Sequence, residues 1–269
     1  MSSSSDPAGG AGRLLIDEPA PGVTRLVISN PERRGALDHA ILDALASTLP
    51  GLDARCVILT GEGSIFSAGY DLGDLPEEVP ADQADQLVAN PFAAAIDAVE
   101  AYPFPTLAVL NGHTIGGGLE LALACDLRMA ATTVKLGMPP AKLGLIYSHT
   151  GLRKFIETVG AARTRELFLV GRRIDALTAH QWGLVNGVVE RGELIEEALE
   201  LAVEIAGNAP LAQRGNKRII RELLAAQTAL DPLTEDELLE LRRSSFSTAD
   251  FREGVRAFAE KRPPRWEGR

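Results

Sequence analysis

The groups in this sequence that could do chemistry gather in two glycine-bearing stretches. In the first, Asn111-Gly112 breaks the apolar run Leu107–Leu110, and Gly116-Gly117-Gly118 leads into Leu119-Glu120-Leu121-Ala122-Leu123-Ala124. That last segment holds helix formers and no breaker. Amide N–H groups at a helix start, with no side chains in the way, make a site for negative charge. The charge is either a phosphate or an oxyanion that exists only during a reaction. Neither phosphate-cradling pattern is present, since there is no Gly-Lys-Ser/Thr and no Gly-x-Gly-x-x-Gly. The second stretch, Ser64-Ile65-Phe66-Ser67-Ala68-Gly69-Tyr70-Asp71-Leu72, follows the apolar run Cys56–Thr60. If the two runs are parallel strands with a helix between them, both loops leave the same sheet edge. Two backbone N–H groups, one from each loop, can then converge on one oxygen. Such a donor typically contributes about 3–4 kcal/mol to a transition state.

The elements that must hold these loops alternate between strand and helix. Leu14–Ile16 and Val23–Ile28 read as a hairpin joined by Pro19-Ala20-Pro21-Gly22. Asn30 to Leu37 is a loop with adjacent arginines, Arg33 and Arg34, and Asp38 caps a helix running to about Leu49. An acidic loop over 74–85 and a helix over 86–101 separate the two apolar runs. Strands follow at Cys125–Ala130 and Val134–Gly137, then a loop over 143–150, a helix beginning at Thr150 or Gly151, and another over 164–170. A helix over 175–182 and a strand over 184–189 come next. Four helices, over 194–206, 211–226, 235–245 and 249–261, complete the chain. This order predicts an α/β core with a helical appendage. We divide the chain into a disordered tail (1–12), the core (13–206) and a helical region (207–269).

Composition narrows the function. The 269 residues are 45% hydrophobic with a net charge of −10, so no overall field attracts nucleic acid or an anionic membrane. Any anionic ligand needs a local basic cluster. Cys56 and Cys125 lie in apolar runs and read as buried thiols of a reducing compartment; no Cys or His spacing suggests a metal site. The tail lacks the basic start and apolar block of a signal peptide, and no segment is long and apolar enough for a bilayer. A cytoplasmic protein is expected.

The paired loops resemble those of the crotonase (enoyl-CoA hydratase/isomerase) superfamily. The resemblance rests on Phe66 to Leu72, on Asn111-Gly112 through Gly116 to Ala122, and on Cys125-Asp126-Leu127. Asn30-Pro31 with Ala36-Leu37, Gly183-Leu184-Val185-Asn186, and Ala257-Phe258-Ala259-Glu260-Lys261-Arg262-Pro263 support it, over about residues 13 to 266. It implies a core of repeated ββα units, acyl-CoA chemistry through a thioester enolate, and a helical tail that builds homotrimers or dimers of trimers. It implies that the N–H groups of Tyr70 and Gly117 form an oxyanion hole. Arg33, Arg34, Ala68, Phe258 and Lys261 fall at positions that hold coenzyme A, which arrives as part of the substrate; no permanently bound cofactor is expected. Asp71 and Asp126 read as carboxylates that fix loops.

A hydratase of this superfamily uses two glutamates. The first matches Glu120, but the second falls at Pro140, which cannot transfer a proton. Pro139-Pro140-Ala141-Lys142-Leu143-Gly144-Leu145-Ile146-Tyr147, Leu75-Pro76 and Phe251-Arg252-Glu253-Gly254 resemble a decarboxylase branch acting on methylmalonyl-CoA. In that branch a tyrosine matching Tyr147 and a glutamate matching Glu120 lie at the active site. Decarboxylation needs an enolate stabiliser and a means of turning the carboxylate out of the thioester plane, and no base to start it. Departures from the branch leave alternatives open. His149, beside Tyr147, is a candidate general acid or base, which with Glu120 would give a hydratase, isomerase or hydrolase. A catalytically silent acyl-CoA-binding subunit would also lack the second carboxylate.

Overall fold

The computed structural model describes residues 11–71 and 89–269. Residues 1–10 of the expected tail, the acidic loop over 74–85, Leu75-Pro76 and the first turn of the helix expected from 86 lie outside the described residues. Gly12, expected in the tail, is buried, and its N–H donates to Asp38 Oδ2 at 2.6 Å.

The strands are β1 (Arg13–Ala20), β2 (Val23–Ser29), β3 (Ala36–Leu37), β4 (Cys56–Gly61), β5 (Ile65–Ser67), β6 (Gly69–Tyr70), β7 (Thr106–Leu110), β8 (His113–Ile115), β9 (Leu127–Ala131), β10 (Lys135–Gly137), β11 (Ile174–Asp175) and β12 (Gly187–Val189). The helices are α1 (His39–Thr48), α2 (Asn90–Ala101), α3 (Gly117–Ala124), α4 (His149–Arg165), α5 (Ala176–Gln181), α6 (Leu194–Gly207), α7 (Pro210–Gln227), α8 (Pro232–Phe246) and α9 (Ala249–Ala259). One sheet runs β1-β2-β4-β7-β9-β12, antiparallel only at β1–β2. A second runs β11-β10-β8-β5, and β3 pairs with β6 alone. Successive long strands of the first sheet are followed by short strands of the second and then by a helix, the expected ββα units.

The long strands are uninterrupted apolar runs because both sheet faces are covered; every residue of β4 and β7 is buried. Helix α1 is capped by Asp38, whose carboxylate accepts the Ile41 N–H at 3.0 Å, and it buries Ile41, Leu42 and Leu45. Polar side chains then tie the sheet edge where the site forms. Asn111 Oδ1 accepts the Gly61 N–H at 3.2 Å while its amide donates to Gly61 O at 2.7 Å, so the ends of β4 and β7 are locked side by side. Asn186 does the same at β9: its side-chain oxygen accepts the Arg128 N–H at 2.8 Å. Buried Arg128 donates to Leu184 O and Cys125 O at 2.8 and 2.7 Å. The Gly183–Asn186 motif is therefore a structural clasp.

The structure corrects three sequence expectations. The stretch Ser64 to Tyr70 is not a plain loop: it holds two short strands, β5, which pairs with β8, and β6, which pairs with β3. Cys125 does not start a strand; it caps the end of α3. A one-turn 3-10 helix, Pro140–Leu143, leads into the 143–150 loop, and α4 begins earlier than expected, at His149, with Ser148 as its cap. Gly160, at φ 75°, interrupts α4 in its middle.

Candidate active site

The two glycine-bearing segments meet as required. β5 and β8 pair in parallel, which brings the ends of both segments together. A Cβ on Gly117 would lie 3.3 Å from the Tyr70 nitrogen, and one on Gly69 3.2 Å from the Gly117 nitrogen. Only residues without side chains allow this approach, and Gly69, at φ 98°, also takes a backbone shape that other residues avoid. Asp71 N–H is committed to Leu37 O at 3.2 Å. Neighbouring amides of an extended segment point to opposite sides, so Tyr70 N–H turns away from β3, toward Gly117. Gly117 opens α3, and its N–H has no acceptor within the helix. The Tyr70 ring packs edge-on against His39, with its hydroxyl 3.2 Å from His39 Nε2. Ser67 supports this turn: its hydroxyl donates to Gly35 O at 2.7 Å and accepts the Gly69 N–H at 3.1 Å. Phe92 of α2 borders Gly117, with ring atoms 3.1 and 3.3 Å from where a Cβ would stand.

Glu120 lies one turn into α3 and is 4% exposed. The Tyr147 hydroxyl donates to its Oε2. Burial holds the Glu120 carboxyl above the usual glutamate range; the Tyr147 hydrogen bond and the charges of Lys154 and Arg242 oppose this without reversing it. Burial, and then the neighbouring Glu120 carboxylate, push the Tyr147 phenol well above 10. Phe168 packs edge-on against Tyr147 at 5.3 Å and fixes the ring. Pro140, at the position of a hydratase's second glutamate, is buried at the start of its 3-10 turn and contributes no titratable group.

Several contributors to this pocket escaped the sequence reading. A Cβ on Gly151 would fall 2.9 Å from Glu120 Oε1 and 2.6 Å from Tyr147 Cε1, so this glycine is what lets α4 close on the pair. Lys154 pairs with Glu100 and thereby joins α4 to α2 beside Glu120. Arg242 acts from α8. Only Gly151 was visible in sequence, as a helix start; the others need the tertiary fold. His149 is the first residue of α4, with Nε2 3.4 Å from Glu235 Oε1.

The expected coenzyme A residues divide into two groups. Arg33, Arg34 and Ala68 are neighbours: Ala68 N–H donates to Arg34 O at 3.1 Å, and all three are exposed beside the oxyanion turn. Arg33 also donates to Asp71 at 2.7 Å, so Asp71 accepts a side-chain bond besides any role in the loop. Asp126 behaves as expected, accepting the Thr106 N–H at 2.7 Å, and it binds Lys217 as well. Phe258 is 73% exposed near the end of α9, and Lys261 follows it with φ 55°. Among the described residues no three His, Cys, Asp or Glu side chains lie together as metal ligands, and no helix is long and apolar enough to cross a membrane.

This geometry has counterparts in known proteins. A family model described as enoyl-CoA hydratase/isomerase matches residues 18–269. A putative enoyl-CoA hydratase of Thermus thermophilus is 36% identical over 251 residues, covering 91% of this chain and 97% of that protein. A structure of methylmalonyl-CoA decarboxylase in complex with 2-nitronate-propionyl-CoA superposes with a TM-score of 0.86 at 28% identity, over 96% of this chain and 99% of that one. An enoyl-CoA hydratase from Bacillus anthracis gives 0.74 at 33% identity, over 96% of this chain and 100% of that one. Family model, relatives and fold agree, and the chain belongs to the enoyl-CoA hydratase/isomerase family, within the crotonase superfamily.

Proposed function

We propose that this acyl-CoA-processing protein is a lyase that decarboxylates methylmalonyl-CoA or a related malonyl-type thioester. One observation carries the reading: the carboxyl of Glu120 is engaged by the Tyr147 hydroxyl, and the place of a second catalytic carboxyl is taken by Pro140. Water addition by two carboxylates has no second partner here. Decarboxylation needs none. The thioester oxygen would lie between the N–H groups of Tyr70 and Gly117. The Tyr147 hydroxyl, turned from Glu120 to the substrate carboxylate, would hold that group out of the thioester plane. The C–C bond then breaks, CO2 leaves, and the electron pair becomes the enolate held in the hole. A charged Glu120 would repel the substrate carboxylate; its raised pKa favours the neutral form, which positions Tyr147 without repulsion.

Arg33, Arg34 and Ala68 would meet the coenzyme A nucleotide, with Phe258 and Lys261 reaching it from a neighbouring subunit. A homotrimer or dimer of trimers fits the surface of α7, which buries no residue in the single chain although Leu211, Ile219, Ile220 and Leu223 are 58–80% exposed. A second reading, hydratase, isomerase or hydrolase, is supported by the naming of relatives as enoyl-CoA hydratases and by His149, two residues after Tyr147. Product analysis decides between them. Incubation with methylmalonyl-CoA should give CO2 and propionyl-CoA, and crotonyl-CoA should remain unhydrated. Hydration or thioester hydrolysis without CO2 release would sink the decarboxylase reading; binding without turnover would mark a silent subunit.

A further inference from the structure

The reaction above ends with an enolate that must gain a proton, and neither Glu120 nor Tyr147 has been given that task. Among the described residues, His149 Nδ1 is buried and has no hydrogen-bond partner. A buried polar atom in that condition calls for a ligand or a role. The other ring nitrogen, Nε2, lies 3.4 Å from Glu235 Oε1. A carboxylate there favours a proton on Nε2, which leaves Nδ1 as the nitrogen that exchanges its proton with the site. Tyr147 and Gly151, two residues to either side of His149, both meet the Glu120 carboxyl.

Glu235 belongs to α8, and so do Arg242 and Ser245. Their spacings of seven and three residues place them on one helix face. That face addresses the segment ending in His149. Ser245 Oγ accepts the Ile146 N–H at 3.3 Å, and the Arg242 charge is felt at Glu120 and Tyr147. Glu235 therefore faces Nε2, and the Arg242 charge acts on the Glu120–Tyr147 pair that the residues two places to either side of His149 meet.

From this geometry we infer that His149 Nδ1 delivers the proton that quenches the thioester enolate, and that Glu235 is the positioning residue that holds the ring for it. The inference rests on the enolate reading above. The step balances. As CO2 departs, the electron pair of the broken C–C bond sits on the enolate; the α-carbon takes the Nδ1 proton of the imidazolium. The neutral ring keeps its Nε2 proton against Glu235 and regains the other from solvent.

The reverse half of this step tests it without decarboxylation. Wild-type protein in D2O should exchange the α-hydrogens of propionyl-CoA. His149→Gln should slow that exchange ~100-fold, the ordinary contribution of a positioned acid or base, with propionyl-CoA affinity unchanged. Glu235→Ala should slow it less, and Glu235→Gln, which can still accept from Nε2, should recover part of the loss. Nitrogen-15 spectra of the His149 ring should show the Nε2–H form in wild type and in Glu235→Gln, and a mixture in Glu235→Ala. Exchange that is absent in wild type, or undiminished in His149→Gln, overturns the inference. Exchange that depends on His149 but comes with no CO2 from methylmalonyl-CoA supports the inference and removes the decarboxylase reading instead.

Discussion

Two glutamates in this molecule have opposite surroundings. Glu120 is enclosed by α3, α4 and Tyr147, and burial raises its pKa. Glu253, on α9, is grasped by Arg262 at 2.5 and 2.9 Å, by the Arg265 N–H at 2.8 Å and by Arg256 at 3.1 Å, and the Arg262 hydrogen bonds drive its pKa far down. The difference lies in what each carboxyl is given to bond. Glu253 receives a full set of donors for its charged form, so it is a permanent anion that fastens the end of the chain to α9. Glu120 is buried and receives the Tyr147 phenol, so burial favours its neutral form and its bonding can change when substrate arrives. The first arrangement makes structure, the second a site.

The largest effect expected from breaking the site is at the oxyanion hole. Gly117→Ala sets a Cβ 3.3 Å from the Tyr70 nitrogen and 3.1 Å from the Phe92 ring, which forces the two donor segments apart, so kcat for CO2 release should fall by roughly 100- to 1000-fold while circular dichroism checks that the helices remain. Next in size is Tyr147→Phe, which strips Glu120 of the phenol donor and the substrate carboxylate of its proposed anchor. CO2 release should fall about 10- to 100-fold, the worth of a hydrogen bond to a charged group; unchanged turnover would remove Tyr147 from the mechanism.

The smallest effects are on stability, and they have opposite pH dependence. A native pKa above the unfolded value gives stability that is complete at low pH and is lost as pH rises through the native value. Glu120→Gln should therefore be more stable than wild type at neutral pH, with the gain vanishing as pH falls toward 4.5. Glu253→Gln should lower Tm at neutral pH and leave kcat/KM unchanged. Its depressed pKa gives stability that is present above 4.5 and fades only as pH drops through the native value, so the deficit should persist into acid. Thermal melts of both variants against pH check the pair of signs.

The same contrast shows which features can be read before folding. The long strands β4 and β7 announce themselves by local pattern, because burial on both faces demands unbroken apolar runs. Asp38, Asp71 and Asp126 stand at element ends, where carboxylates have few other uses. The short strands β5, β6 and β8 carry no such pattern. They exist because Ile65 finds His113 and Gly69 finds Ala36, partners far away in sequence. Glu120, Tyr147 and Pro140 were visible as residue types at spacings shared with a known superfamily, but the bond between Glu120 and Tyr147 was not. It depends on Gly151 admitting α4 to the carboxyl. The part played by α8 was hidden for the same reason, since Glu235 and Arg242 look like ordinary surface charges until the helix is laid along residues 146–149.

The claim at the centre of this account is that burial raises the Glu120 pKa where arginine donors lower that of Glu253. Carbon-13 NMR of side-chain carboxyls, assigned with Glu120→Gln and Glu253→Gln, measures both titrations in one series. The account predicts that Glu120 titrates above the ordinary glutamate value of 4.5 and Glu253 below it. A Glu120 that ionises at or below 4.5 would contradict it, because burial would then not disfavour the charged carboxylate.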